Sequence, residues 1–233
     1  KYNCSDKLFS LSNISFVKKD RVILKDINFD IYKGSRTLLL GENGCGKTTL
    51  LRLISRLEKP TKGTISQNID IKIKQKGKSK KWFKKVGVVY QNPDYQLFMP
   101  TVEKEIKYGA ISNEYADRIA EEFNIKHLYN RHPQSLSEGQ KRRVSIACVV
   151  SSSPEVLILD EPTVGQDYNG LCEMVKVLNK IHEETNNTMI IVTHDKRCAS
   201  SLCDKSIWIK DGVVFKNGEK ELIDEFFSEL QGK

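Results

Sequence analysis

The chain has 233 residues, of which 39% are hydrophobic, and it carries a formal net charge of +8. This length fits one large domain or two small lobes. No apolar run approaches the roughly 18 residues that a bilayer-spanning helix needs, which excludes a protein built on such helices. The six cysteines contain no C-x-x-C pair, which favours reduced thiols in a cytosolic protein over a disulfide framework.

The first predicted elements are strands. Apolar residues alternate over 8–16 and 22–32, with a polar turn between them, as in half-buried antiparallel strands. Residues 37–40 form an apolar run with the length of a buried strand. The early segments therefore predict antiparallel β structure leading into the strand of a central sheet.

A glycine-rich loop follows the third strand and precedes a helix, the context in which the pattern G-x-x-x-x-G-K-[ST] indicates phosphate binding. Its glycines allow backbone N–H groups to face inward, and the helix N-terminus favours an anion. We expect Lys47 to reach the β- and γ-phosphates of a nucleotide and the Thr48 hydroxyl to bind Mg²⁺. The same helix end is expected to favour the thiolate of Cys45. The predicted nucleotide-binding residues of the loop are Gly41, Glu42, Asn43, Gly44, Cys45, Gly46, Lys47, Thr48 and Thr49.

A lysine-rich segment lies further along the chain. The helix after the glycine-rich loop is expected to end near residues 58–63, before a short β pair over 64–73. Eight lysines then fall between positions 72 and 85 without an intervening acidic residue. We interpret this cluster as a solvated loop, and the alternative is a surface that faces phospholipid headgroups or RNA.

Strands and helices alternate over the rest of the chain, which predicts an α/β fold. Apolar runs of strand length occupy residues 86–90, 156–159 and 188–192. Helical patterns occupy residues 103–108, 114–124, 138–150, 171–182 and 222–230. Asp211-Gly212 separates two short apolar runs and is a hairpin signal.

Polar residues end three of the predicted strands. Asp160 ends an apolar strand, where a carboxylate faces the ligand crevice of a parallel sheet, and we expect it to hold Mg²⁺ opposite Thr48. Glu161 follows directly and is expected to orient or deprotonate the attacking water. His194 is placed to contact a γ-phosphate, and the amide of Gln91 is placed to reach Mg²⁺ or water. The structural alternatives are an acidic strand end and a structural histidine.

A second candidate anion site lies at residues 136–140, where a serine and a glycine begin a predicted helix. The predicted nucleotide contacts there are Ser137, Gly139 and Gln140. One chain cannot easily place two such helix ends on one γ-phosphate, so the pattern implies a second subunit.

Together these motifs resemble the nucleotide-binding subunit of ABC transporters. The resemblance covers nearly the whole chain and includes, in the family's order, residues 41–49, Gln91, residues 136–140, residues 157–162, Asp167 and His194. It implies a P-loop NTPase fold with a RecA-like α/β core, an antiparallel β subdomain and a helical subdomain. The implied organisation is one domain over residues 1–233, with a core of 1–91 plus 154–233 and a helical subdomain over 92–153.

The resemblance also implies a mechanism. Two subunits would form a head-to-tail dimer, homomeric or heteromeric, in which each ATP lies between residues 41–49 of one subunit and residues 137–140 of the other. Glu161 would be the catalytic base and His194 the γ-phosphate sensor. Gln91 would report to the membrane partner.

Residues 90–98, followed by 100–103, look like the corresponding loop of energy-coupling-factor and cobalt-type importers. That resemblance implies an ATPase, with ATP and Mg²⁺, that powers uptake of a vitamin or metal ion. Its implied partners are a transmembrane coupling protein and a membrane substrate-binding protein, and its implied location is peripheral, on the cytoplasmic face of the membrane. Tyr95, Leu97 and Phe98 are expected to dock a helix of the coupling protein, or to cover the core of the helical lobe.

Three positions depart from the family pattern. Lys18 stands where an aromatic residue usually stacks on adenine. Glu138 replaces a usual glycine, so its side chain is expected to point away from the phosphates, and Gln166 replaces a usual leucine, which would alter packing across the dimer.

The alternative function is a non-transport ABC ATPase that acts on nucleic acid or as an assembly factor. It is motivated by the lysine-rich segment. The chain has neither a long coiled coil nor a second ATPase cassette, so nucleic acid is not the expected partner.

Overall fold

The computed structural model describes residues 6–69 and 80–231. The strands are β1 (Lys7–Lys18), β2 (Arg21–Tyr32), β3 (Arg36–Leu40), β4 (Lys62–Gln67), β5 (Val86–Val89), β6 (Val156–Asp160), β7 (Thr188–Val192), β8 (Lys205–Lys210) and β9 (Val213–Glu219). The helices are α1 (Lys47–Ile54), α2 (Lys80–Lys85), α3 (Val102–Lys107), α4 (Asn113–Glu122), α5 (Glu138–Ser151), α6 (Tyr168–Thr185), α7 (Lys196–Leu202) and α8 (Glu221–Gln231). The α/β prediction is confirmed.

Two predictions about the segment after α1 need correction. The helix ends at Ile54 rather than near residue 58, and Arg56 then takes a left-handed conformation (φ 61°) that ends the helical path. The lysine-rich segment is not wholly a loop, because its last six residues form α2. The rest of its lysines, and the second half of the predicted β pair, lie outside the described residues.

The chain divides into two compact units, and the first contains residues 1–79 and 188–233. Strand β1 pairs antiparallel with both β2 and β4, so β4 is the third strand of this sheet. Strand β3 pairs in parallel with β7 and β8, and β9 returns antiparallel along β8. The β8–β9 turn has positive φ at Asp211 (49°) and Gly212 (75°), which confirms the hairpin prediction.

The second unit contains residues 80–187. Strand β5 pairs in parallel with β6, whose five residues are all buried. Helix α5 packs on α3, α4 and β5. A side chain at Gly87 would lie 2.3 Å from Val149 Cγ1, so the glycine permits the close approach of β5 and α5. The division into core and helical subdomain stays a prediction.

No helix among the described residues is both long and apolar enough to span a bilayer.

Candidate functional site

The glycines of the phosphate loop serve different purposes. Gly41 has a φ of 150°, and a Cβ there would lie 2.4 Å from the carbonyl oxygen of Ile209. Gly46 has a φ of 109°, and its Cβ would lie 2.6 Å from Leu24 Cδ2. Gly44 also has a positive φ, of 82°, but a Cβ there would meet no described atom within 4 Å. Packing therefore requires the two outer glycines, whereas only backbone conformation requires Gly44.

Lys47 is the cationic residue of this loop. Its side chain is buried, and its Nζ donates to the carbonyl oxygens of Gly41 (2.7 Å) and Glu42 (2.9 Å). The ammonium group is thus held against the loop backbone, where a phosphate oxygen would meet it. Thr48 is exposed in the first turn of α1.

The expectation of a thiolate at Cys45 is wrong. The side chain is buried, and this burial raises the pKa of the Cys45 thiol. The positive charge of Lys47 acts in the opposite direction but is the smaller effect. Desolvation of a thiolate therefore outweighs the helix dipole and the neighbouring cation.

His194 lies between β7 and α7 in the same unit. Partial desolvation, and then the positive charge of Lys47, lower the pKa of His194, so the imidazole is neutral at physiological pH. Asp195 fixes the following turn, since its Oδ1 accepts hydrogen bonds from the backbone N–H groups of Arg197 (2.8 Å) and Cys198 (3.1 Å). The His194 ring is therefore attached to a turn that hydrogen bonds hold in place. In the neutral ring, one nitrogen donates a hydrogen bond and the other accepts one.

In the second unit, β6 delivers two acidic residues to its carboxyl end. Asp160 and Glu161 are both buried. The backbone of Glu161 is left-handed, with a φ of 54°, which is costly for a residue with a side chain. The left-handed backbone ends the strand at this point. The Glu161 side chain therefore points in a different direction from the one it would have if the strand continued.

Sequence reasoning missed Arg142, which is fully buried on α5. Its Nη1 donates to the carbonyl oxygen of Tyr90 at 2.6 Å, and its Nη2 donates to that of Gln91. Desolvation lowers the pKa of Arg142, and the nearby charges of Glu138, Asp160 and Glu161 oppose this shift. The guanidinium thereby holds the backbone of Gln91, whose own side chain is exposed. Its position in a run of basic residues gave no sequence signal that distinguished it from its exposed or half-buried neighbours.

The predicted second anion site is the N-terminus of α5. Ser137 caps the helix, since its hydroxyl accepts from the N–H of Gln140 (3.3 Å) and its own N–H donates to the Gln140 side chain (3.1 Å). These two bonds form a capping box. Glu138 is exposed, with its Cγ 3.2 Å from where a Cβ would stand on Gly165.

Residues 92–98 carry both buried and exposed apolar side chains, and their docking role stays a prediction. Leu97 is buried, whereas Tyr95 and Phe98 are 80% and 68% exposed. The backbone N–H of Phe98 donates to Glu105 Oε2 at 2.8 Å, which fixes the segment on α3. Phe98 also packs edge-on against Tyr108, with ring centroids 5.6 Å apart. An anchored segment therefore displays aromatic side chains to the exterior.

The candidate metal ligands are the Thr48 hydroxyl, the Asp160 carboxylate and the Gln91 amide. All three offer oxygen, the donor that Mg²⁺ prefers, and in such sites substrate phosphates and water complete the coordination. The described residues contain no group of three or more His, Cys, Asp and Glu side chains able to hold a metal by themselves. Each of these donors has the chemistry of a Mg²⁺ ligand, and their binding of Mg²⁺ stays a prediction.

The strand–loop–helix at residues 41–49 and the buried acids that end β6 define a phosphate-loop nucleoside triphosphatase. The ABC transporter family profile matches residues 24–164, and the chain belongs to that family. It is an ATP-binding ATPase subunit, which confirms the predicted family and the predicted enzyme activity.

Known relatives agree with this assignment. The energy-coupling factor transporter ATP-binding protein EcfA2 of Bacillus subtilis is 40% identical over 212 residues, covering 85% of this chain and 76% of the relative. The structure of cbiO1 from Clostridium perfringens, part of the ABC transporter complex cbiONQ, is 32% identical with a TM-score of 0.80 and covers 98% of this chain and 94% of its own. The dimeric ATP-binding cassette MJ0796, bound to ADP and Pi, is 28% identical with a TM-score of 0.78 and covers 91% of this chain and 99% of its own.

Proposed function

We propose that this chain hydrolyses ATP to power an energy-coupling-factor type importer of a vitamin or a metal ion. The observation that carries the proposal is the anchored segment of residues 92–98, which displays Tyr95 and Phe98 outward next to the predicted reporter residue Gln91. Its sequence is the part of the chain that most resembles these importers, and EcfA2 and cbiO1 are among the relatives.

The proposed chemistry assigns a role to each candidate residue. The N–H groups of residues 41–49 and the Lys47 ammonium bind the phosphates. Thr48, Asp160 and Gln91 would hold Mg²⁺, which would supply positive charge to the phosphates. Glu161 accepts a proton from the attacking water, and the neutral His194 donates to a γ-phosphate oxygen.

A second ATPase subunit is part of the proposal. Ser137, Gly139 and Gln140 would contact the γ-phosphate of ATP bound to the partner, in a head-to-tail dimer. The dimeric MJ0796 cassette, similar over 91% of this chain, supports this arrangement. A transmembrane coupling protein and a substrate-binding membrane protein complete the importer, which places the chain at the cytoplasmic face of the membrane.

The catalytic assignment is tested by Glu161→Gln. The variant keeps the shape of the side chain but lacks a base, so ATP turnover should fall by at least about a hundredfold while ATP binding persists. Steady-state phosphate release and nucleotide binding measure both. Glu183→Gln, an exposed change on α6, is the matched control and should behave like the wild type. Wild-type turnover in Glu161→Gln would refute the role of Glu161.

The partner assignment is tested by isolating the chain's membrane complex from its source. A polytopic membrane protein should co-purify with the wild type, and much less with Tyr95→Ser/Phe98→Ser, while basal ATPase activity is retained. Ile111→Ser removes another exposed apolar side chain and serves as the control. Recovery of nucleic acid, with strongly salt-dependent binding, would favour the alternative function instead.

A further inference from the structure

The side chain of Gln166 joins the turn after β6 to the first turn of α5. Its Nε2 donates to the carbonyl oxygen of Gly139 at 2.8 Å, and its Oε1 accepts from Arg143 Nε at 3.0 Å. Both ends of the amide are therefore used. Leucine, the usual residue at this position in the family, can form neither bond.

The backbones of the two segments also lie very close together. A Cβ on Gly139 would stand 2.7 Å from the carbonyl oxygen of Gly165 and 3.0 Å from Gln166 Nε2. Gly165 has a φ of 78°, and a Cβ there would stand 3.2 Å from Glu138 Cγ. Glycine at both positions permits this approach, and the hydrogen bonds of the Gln166 amide then hold the two backbones in one relative position.

Arg143 extends the connection to a third element. Its Nη1 donates to Glu173 Oε2 on α6 at 2.9 Å, and its side chain is only 17% exposed. Gly170 fits beneath this network, because a Cβ there would stand 2.7 Å from Gln166 Oε1 and 2.9 Å from Arg143 Nη2. Three chain segments thus converge on one glutamine.

One of the two segments that Gln166 joins, residues 137–140, is proposed to contact the partner's ATP. Ser137 and Gly139 lie on one of them, and Asp167, which caps α6 through the N–H of Gly170 at 2.7 Å, lies on the other. We propose that Gln166 is a positioning residue that locks these two segments into a single surface for the partner's ATP. The proposal rests on the proposed function, because it presupposes that ATP is shared between two subunits.

Locking the segments in advance removes part of the entropy cost of ordering them when the dimer closes on ATP. It does not alter the base or the metal ligands. Loss of the lock should therefore raise the ATP concentration for half-maximal activity, with little change in turnover at saturation.

The experiment compares ATP hydrolysis by the full-length chain and its Gln166 variants. Gln166→Leu loses both bonds, whereas Gln166→Glu keeps an acceptor for Arg143 but opposes a carboxylate to the Gly139 carbonyl. We expect both variants to raise KM for ATP about five- to tenfold, with kcat within about twofold of the wild type. Gln231→Leu, the same change at an exposed position of α8, is the matched control.

The two variants separate the possible outcomes. A wild-type KM in Gln166→Leu overturns the proposal, as does a reduced kcat at unchanged KM together with a lower melting temperature. A wild-type KM in Gln166→Glu alone overturns the role of the Gly139 bond, and this variant decides the question if Gln166→Leu does not fold. Absence of ATP hydrolysis by the wild type would instead refute the proposed function.

Discussion

The N-termini of helices α1 and α5 are both predicted to contact a phosphate, but they are capped in different ways. Helix α1 follows Gly46, whose conformation is left-handed and which supplies no side-chain cap. Helix α5 follows Ser137, whose hydroxyl already accepts the N–H of Gln140, and its first turn carries Glu138. Helix α1 therefore has no side-chain cap at its N-terminus, whereas a side chain of α5's own cap already bonds one of its N-terminal donors.

From this difference we infer that the N-termini of α1 and α5 have different roles in ATP binding. At α1 a phosphate would displace no side-chain cap and would meet no acidic residue in the first turn. Such a terminus suits a site that keeps the nucleotide bound through the whole ATPase cycle. At α5 the Ser137 hydroxyl can still donate to a phosphate, but the N–H of Gln140 is already bonded to the cap, and Glu138 repels the anion. Contacts there are therefore weaker and more easily released, which suits a surface that must open after each turnover.

The largest effect is expected from a substitution at the N-terminus of α1. Gly46→Ala would strain a φ of 109° and drive Cβ into Leu24, so ATP affinity should fall on the order of a hundredfold as the loop deforms. Gly44→Ala is the matched control, since it shares the positive φ but meets open space, and it should cost affinity only about tenfold. Equilibrium titration with a fluorescent ATP analogue measures both. Equal losses would mean that conformation, not packing, shapes the loop.

A smaller effect is expected at the α5 terminus. Ser137→Ala removes both the helix cap and the proposed phosphate contact, so kcat/KM for ATP should fall about tenfold. The lost cap costs about 1 kcal/mol, equivalent to a melting temperature about 2–4 °C lower. Gln140→Leu loses only the reciprocal half of the capping box and should preserve more activity. If the two variants lose activity equally, the hydroxyl acts only as a cap.

A still smaller effect should follow from removing the acid beside this terminus. Glu138→Gln eliminates a charge that opposes the phosphate, so KM for ATP should fall about two- to threefold. The same change should lower the melting temperature slightly, since an acid in the first turn stabilises a helix. Enzyme kinetics at low and high salt test this, because screening should erase the gain. A gain that persists at high salt would point to a steric cause.

The smallest expected effect concerns α7, a third helix end, which is capped by an ionised side chain. The bond from Arg197, with those from the N–H groups of Cys198 and Arg197, lowers the pKa of Asp195, although desolvation opposes this shift. Its stabilisation is therefore complete above the pKa of an unfolded aspartate and disappears as pH falls through the lower folded-state pKa. Asp195→Asn should cost about 0.5 kcal/mol at pH 7 and nothing well below the folded-state pKa. Thermal melts from pH 7 to pH 2 measure this, and a pH-independent difference would assign the effect to geometry.

Local pattern was sufficient for most elements of the fold. The apolar runs that became β3, β6 and β7 and the helical spacing of α5 and α6 carry their periodicity in consecutive residues. Helix α2 was missed because a run of lysines favours solvent over any one backbone conformation. The pairing of β4 with β1 was missed because strand partners distant in sequence leave no local signal.

The phosphate loop, the acids after β6 and the α5 cap were also predictable, since each depends on a few adjacent residues whose chemistry acts through the backbone beside them. The roles of Arg142 and Gln166 were not, because both act on carbonyl groups more than 20 residues away. The neutral thiol of Cys45 likewise follows from burial, which overrides the dipole that the sequence suggests. The sequence by itself determined which chemistry this protein carries, through residues that act on their immediate neighbours. Only the tertiary structure decided how those groups are held and charged, because desolvation and long-range hydrogen bonds exist only once distant segments have packed together.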